Sequence, residues 1–157
     1  MVHWEIVFML KIFFGCSMRG GYANASREEL IQIQGAIKEL GFRLATEHQT
    51  KEGIFEEESR LNDAQIHDRD FKWLQESDIG IFEISNPSLG VGGEITDIVH
   101  LGKPVLCLFK KHLGKAVSAY IKGKQGSKFV KTPFECRPYQ TIGEAKEIIR
   151  KFAEKNC

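Results

Sequence analysis

The run from Asp70 to Asp97, DFKWLQESDIGIFEISNPSLGVGGEITD, constrains the fold more than any other part of the chain. Its middle, Ile79 to Ile84 (IGIFEI), is β-branched and aromatic over the length of a buried strand. Asn86-Pro87-Ser88 then turns the chain, and Gly90, Gly92 and Gly93 follow. Ile95, Ile98 and Val99 recur at helical spacing, and Leu101-Gly102 stops that helix. A helix carrying Trp73 and Leu74 comes before the strand. A buried strand between two helices, with a glycine-rich turn at its carboxyl end, belongs in a sheet with helices packed on it.

The rest of the chain repeats this alternation. Leu10 to Phe14 (LKIFF) reads as the first strand, followed by a loop of small residues over Gly15–Ala25. Ser26 and Glu29 form a capping-box pattern, Leu30, Ile33, Ile37 and Leu40 recur at helical spacing, and Gly41 ends the helix. Phe42 to Ala45 is a short second strand, and the charged run Lys51 to Arg60 reads as a mobile loop. Leu61 to Glu76 is the next helix, with Ile66, Trp73 and Leu74 facing the core. Val105 to Phe109 (VLCLF) is a fourth strand, Val117 to Ile121 a short helix carrying Ser118, and Phe129-Val130 a weak fifth strand. Thr141 and Glu144 repeat the capping pattern before a last helix with Ile148, Ile149 and Phe152 turned inward. The pattern predicts an α/β fold, a Rossmann-like three-layer sandwich with a mostly parallel five-stranded sheet. Ligands of such sheets bind beyond the carboxyl ends of the strands, where the loops Gly15–Ala25, Thr46–His48 and Ser85–Gly93 emerge.

At 157 residues the chain suits one domain, 1–157. Residues 1–8 read as an extension, or as the product of an upstream start codon, because Met9-Leu10-Lys11 makes a natural start for the first strand. The formal net charge of +1 does not suggest a large nucleic-acid footprint. The apolar N-terminus is interrupted by Glu5 and Lys11 and is too short to span a membrane. Cys16, Cys107, Cys136 and Cys157 show no paired spacing, which points to reduced thiols in a cytosolic protein rather than a disulfide framework or a zinc site. No metal or cofactor is expected.

Two acids flank the central strand. Glu94 is expected in the first turn of its helix, where the helix dipole favours the ionised form, and Asp70 lies upstream. The glycines between them suit close backbone approach to a phosphate. Taken singly, these features have plainer explanations. GVGGE is as much a structural turn as a binding loop, Asp70 a solvated charge, Arg19 a surface cation, His48 a loop histidine, and Phe14 and Met18 core residues. No Gly-Lys-Ser/Thr follows the loop, so it is not a Walker motif, and Gly15, Gly20 and Gly21 have the wrong spacing for a dinucleotide fingerprint.

In combination the segments are more specific. FFGCSMRGG, TEH, DRDFKWLQESDIGIFEISNPSLGVGGEI, GKPVLCLF and VSAYIKG, in this order, resemble the 2'-deoxynucleoside 5'-phosphate N-hydrolases of the nucleoside 2-deoxyribosyltransferase superfamily. The resemblance runs from about Leu10 to Phe129. It implies that Glu94 is the nucleophile and Asp70 the aspartate that assists it. It implies that Ser88 and Gly90 bind the 5'-phosphate, and that Ser118 reaches the phosphate of a neighbouring subunit in a homodimer. Arg19, Ser17 and Met18 match the nucleotide-binding first loop, and His48 a histidine at the pocket edge. Phe13 stands where family members often carry a tyrosine, and Cys16 where a glycine is usual; the lost hydroxyl bears on the preference for 2'-deoxyribose.

The reaction implied is hydrolysis of the N-glycosidic bond of a 2'-deoxynucleoside 5'-monophosphate, through a covalent glycosyl-enzyme on Glu94, with net retention. The alternatives are a hydrolase of ribonucleotides such as CMP, a nucleoside 2-deoxyribosyltransferase, and a nucleotide sensor without turnover. The expected partners are a nucleoside 5'-monophosphate and a second copy of the chain, with no nucleic acid polymer and no membrane. The expected location is the cytoplasm, or also the nucleus in a eukaryote.

Overall fold

The computed structural model describes residues 10–18, 21–47 and 51–157. Among these residues five strands form one sheet: β1 (Lys11–Cys16), β2 (Arg43–Leu44), β3 (Ile79–Glu83), β4 (Val105–Lys110) and β5 (Phe134–Tyr139). Their order is β2-β1-β3-β4-β5, and every neighbouring pair is parallel. The helices are α1 (Arg27–Glu39), α2 (Ile54–Glu58), α3 (Asp63–Glu76), α4 (Leu89–His100), α5 (Ala119–Lys122) and α6 (Ile142–Lys155).

Strand alternation divides the core into two layers. Ile12 and Phe14 of β1 join Ile79 and Ile81 of β3 beneath Leu30, Ile33 and Ile37 of α1 and Ile149 and Phe152 of α6. Phe13 and Phe82 point to the other face, beneath Leu74 of α3 and Ile95 and Ile98 of α4. This is the expected three-layer sandwich, and the continuous apolar runs of β3 and β4 are those of strands covered on both faces.

Several boundaries differ from the sequence expectation. The fifth strand is Phe134–Tyr139, not Phe129-Val130, and Phe129 is 81% exposed. β5 carries Pro138, which an edge strand tolerates because its outer side needs no donor. The charged run after Lys51 contains α2, which buries Ile54. The helix expected from Leu61 starts at Asp63, after Asn62 and Gln65 close a capping box. Ser26 and Glu29 close theirs as expected. Thr141 accepts from Glu144 N–H, but the Glu144 carboxylate accepts from Gln140 N–H instead of from the cap. The short helix near Ser118 begins one residue after it, with Ser118 as its cap.

The correction that matters most concerns α4. It starts at Leu89 on the Ser88 cap, so Gly90, Gly92 and Gly93 are helical rather than a preceding loop. Glu94 therefore lies in the second turn, away from the first amides, and the expected effect of the helix dipole on it does not apply.

Candidate active site

The site lies past the carboxyl ends of β1 and β3. A cleft of about 970 Å³ is lined by Asp70, Glu94, Ser88, Gly90, Met18 and Ser118, among others. A recess of about 370 Å³ between α3 and α4 shares Asp70, Glu94 and Gly90 and extends to Ile66, His67 and Phe71. Another, of about 280 Å³, continues past Ser88 and Ser118 to Asn24 and Asn86.

Glu94 is seated by a glycine. A Cβ at Gly15 would stand 2.4 Å from Phe82 Cδ1 and 3.0 Å from Glu94 Oε2. Only the bare backbone of β1 leaves room for the ring and the carboxylate together. A Cβ at Gly92 or Gly93 would meet nothing within 4 Å, so the open side of α4 is left clear.

The carboxylates are not in ordinary water. Burial raises the Glu94 pKa to about 8, and the charges of Asp70 and then Asp97 add to the rise. Burial also raises Asp70, but the hydrogen bond and charge of Arg69 oppose it. Burial and the two neighbouring charges therefore favour the protonated form of Glu94, whereas Arg69 favours the ionised form of Asp70. This reverses the expectation of an ionised Glu94 at a helix start. Cys16 also lines the cleft, but burial, then Glu83 and Glu94, push its thiol up to about 12. It stays a neutral thiol, not a nucleophile.

The loop after β3 is pinned from below. Asn86 Oδ1 accepts from Asn24 N–H at 2.9 Å and Ala25 N–H at 3.1 Å, and Asn86 Nδ2 donates to Ala25 O at 2.8 Å. Asn24 Nδ2 donates to Ser85 O at 2.8 Å. Ser85 donates its hydroxyl to buried Glu83 and accepts from Lys110 N–H at 2.9 Å. Tyr139 donates to the same Glu83 at 3.3 Å. The turn that presents Ser88 is thus fixed to the loop after β1 and to β4 and β5.

The serines are both caps. Ser88 Oγ accepts from Val91 N–H at 3.3 Å and Ser118 Oγ from Ile121 N–H at 3.4 Å, which leaves each hydroxyl proton to donate outward. In α4 the ladder begins with Gly92 N–H to Ser88 O at 3.1 Å, so the first amides, Leu89 and Gly90, precede it.

Of the residues singled out in the sequence, Glu94, Asp70, Ser88, Gly90, Met18 and Ser118 meet in this cleft. Ser17 is buried and donates to Gly21 O at 3.3 Å. Phe13 is fully buried, its ring 5.7 Å from that of Phe82, in the core beneath the site. Arg19 and His48 lie outside the described residues. Sequence reasoning missed Arg69, Asp97 and Asn86. Asn86 carried only its turn signal, and Arg69 only its place between two aspartates. Among the described residues, no group of three or more His, Cys, Asp or Glu side chains is arranged to hold a metal ion.

Comparison with known proteins matches residues 12–127 to the nucleoside 2-deoxyribosyltransferase family. A 5-hydroxymethyl-dUMP N-hydrolase of Danio rerio is 34% identical over 148 residues, covering 92% of this chain and 96% of the relative. Its Homo sapiens namesake is 34% identical over 146 residues, covering 91% and 79%. A putative 2'-deoxynucleoside 5'-phosphate N-hydrolase 1 of Nematostella vectensis is 40% identical over 125 residues, covering 77% and 83%. Among solved structures, the CMP N-glycosidase BcmB of Clostridium botulinum shares the fold at a TM-score of 0.62 and 17% identity, covering 90% of this chain and 98% of that one.

Proposed function

The chain belongs to the nucleoside 2-deoxyribosyltransferase family, and from that premise we propose that it hydrolyses the N-glycosidic bond of 2'-deoxynucleoside 5'-monophosphates. The products are a free nucleobase and 2-deoxyribose 5-phosphate. The relatives named for 5-hydroxymethyl-dUMP make that nucleotide the first substrate to test. One observation carries the reading. Two charge-coupled carboxyls, Glu94 and Asp70, share a cleft with a serine-capped helix N-terminus.

The sugar lies over Glu94. The 5'-phosphate takes hydrogen bonds from the Ser88 hydroxyl and the first amides of α4, whose dipole favours an anion. Met18 lines the cleft, and Arg19, Ser17 and His48 are assigned as further nucleotide contacts on the strength of the family resemblance alone. The base extends toward Ile66, His67 and Phe71. The active enzyme holds one proton on the carboxyl pair, at rest on Glu94. In the reaction Asp70 carries it, and the Glu94 carboxylate attacks C1'. The C1'–N bond breaks, its electron pair goes to the base, and Asp70 protonates the base. Water then adds to C1' and gives a proton to Asp70 as the Glu94 ester bond breaks.

The working unit is a homodimer, in which Ser118 donates to the phosphate held by the neighbouring subunit. Leu89 (98% exposed) and Tyr120 (79% exposed), both at the cleft rim, support an apolar contact there. No described helix is long and apolar enough to cross a membrane, and free cysteines suit the cytoplasmic compartment of the nucleotide pool.

The test is chromatographic detection of free base from a panel of ribo- and deoxyribonucleoside 5'-monophosphates, with matching nucleosides as controls. Deoxynucleotides should react and nucleosides should not. Glu94→Ala should abolish release while nucleotide still binds, and full residual activity would remove Glu94 from the nucleophile role. Base release from ribonucleotides instead would move the substrate class.

A further inference from the structure

Arg69 stands beside Asp70 on α3, where consecutive side chains point in different directions and do not normally meet. Here they do. Arg69 Nε donates to Asp70 Oδ1 at 2.9 Å, and Nη2 lies 2.9 Å from an Asp70 oxygen that is again Oδ1. Nη2 also reaches Glu58 Oε1 of α2 at 2.8 Å. The guanidinium carbon stands 4.7 Å over the Trp73 ring, one helical turn further along α3. All three charged side chains are largely covered, and all three line the same cleft as Glu94. A surface ion pair has no need of so many supports. A planar cation held by two carboxylates and one aromatic face has a fixed orientation.

We propose that Arg69 is a positioning residue for the carboxyl pair: braced by Glu58 and Trp73, it grips Asp70 through Oδ1 and fixes how that carboxylate faces Glu94 and the substrate. Nothing in the names of the relatives assigns it this task. The inference rests on the reading of Asp70 and Glu94 as the reacting pair. Its chemical consequence is an asymmetric pair. The groups facing Asp70 are Arg69, Glu58 of α2, His67 of α3 and Glu94 of α4, with Asp97 beyond it. Arg69 and His67 favour the Asp70 anion, whereas burial and Glu58 oppose it. Removing the guanidinium tips Asp70 toward its acid form and frees its rotamer. Protons then compete for both carboxyls, and Asp70 reaches the base in the wrong orientation.

The experiment compares the full-length wild type with Arg69→Gln, Arg69→Lys and Glu58→Gln, following base release from the nucleotide across pH alongside thermal unfolding. Arg69→Gln should lower kcat by roughly tenfold or more, since small misplacements of reacting groups are costly. KM should change little, and the acid limb of kcat/KM should move to higher pH by about half a unit or more. Arg69→Lys keeps the charge but not the fork, so it should restore the acid limb while kcat stays depressed. Glu58→Gln should lower kcat less than Arg69→Gln. Unshifted pH limbs in Arg69→Gln, with kcat reduced only in proportion to lost folded protein, would overturn the proposal. If Arg69→Gln does not fold, Arg69→Lys decides: wild-type kcat and pH limbs in that variant would overturn it. Asp70→Asn and Glu94→Ala, run in parallel, separate the two failures. If they remain active, the reading of the site is wrong. If they are dead while the Arg69 variants match wild type, only the role of Arg69 is wrong.

Discussion

Glu94 rests directly on Gly15, across from the Phe82 ring. A side chain on Gly15 would come within 2.4 Å of that ring and 3.0 Å of Glu94 Oε2. The Phe82 ring is packed in the core and cannot move aside without disturbing β3, whereas the Glu94 carboxylate faces the cleft and would be pushed from its place. Gly15→Ala should destabilise the protein by about 1–3 kcal/mol, as overpacked cores do. It should also lower kcat at temperatures where the variant is still folded, because the carboxylate is displaced. Thermal unfolding and base release on the same preparation check both effects. A variant as stable and active as wild type would mean that Glu94 is not seated there.

The raised pKa of Glu94 gives a signature. With one proton required on the pair, kcat/KM should fall as pH rises through about 8, where Glu94 loses its proton. Asp97 contributes to that rise by its charge, after burial and Asp70. Asp97→Asn should therefore move the alkaline limb to lower pH and leave the acid limb in place. An unmoved alkaline limb would assign it to another group.

Glu83 supplies a stability test away from the chemistry. Burial raises it to about 7, against the pull of Ser85, Tyr139 and Lys110. A carboxyl with a folded pKa above its unfolded value binds more protons when folded. Its contribution is therefore complete below about 4.5 and is lost as pH rises through about 7. Such a shift corresponds to about 3 kcal/mol. Glu94 adds a similar decline reaching to about 8. Glu83→Gln should flatten the loss of stability between pH 4.5 and 7, as read by denaturant midpoints at several pH values. An unchanged slope would show that Glu83 does not titrate there.

Ser88 has two tasks that separate on measurement. As the cap of α4 it should cost about 1 kcal/mol of stability when replaced by alanine. As a phosphate donor, its loss should raise KM for the nucleotide by about tenfold, the worth of a hydrogen bond to a charged group. Binding of the matching nucleoside should be unaffected. An equal loss for both would move the phosphate elsewhere.

Much of this was legible in the sequence because it depended on residue type and period. The continuous apolar runs of β3 and β4 gave buried strands, and Ser26 with Glu29 gave a helix start. Glu94 and Asp70 were legible as acids on either side of a buried strand. The start of α4 was misread because glycine favours turns, whereas here the Ser88 cap and the packing of Val91, Ile95 and Ile98 hold three glycines in a helix. β5 was missed because Glu135, Arg137 and Pro138 hide its period, and only its partner β4 makes it a strand. The raised pKa of Glu94 and the grip of Arg69 on Asp70 had no sequence signal. Both come from tertiary burial and from a side chain folding back onto its neighbour.

The cleft is built from two walls of separate origin. α3 supplies Asp70 and the recess around Ile66, His67 and Phe71, whereas the loop after β3 and α4 supply Ser88 and Glu94. The second wall is stapled to the sheet by Asn86, Ser85 and Glu83, so its substitutions act on the fold as well as the site. Ile66, His67 and Phe71 of α3 line the recess and, among the described residues, are tied to the sheet by no comparable network of side-chain hydrogen bonds. With the base placed as proposed, divergence on this frame would run along one helix: exchange of a few α3 side chains would reshape the recess while the stapled wall is inherited unchanged.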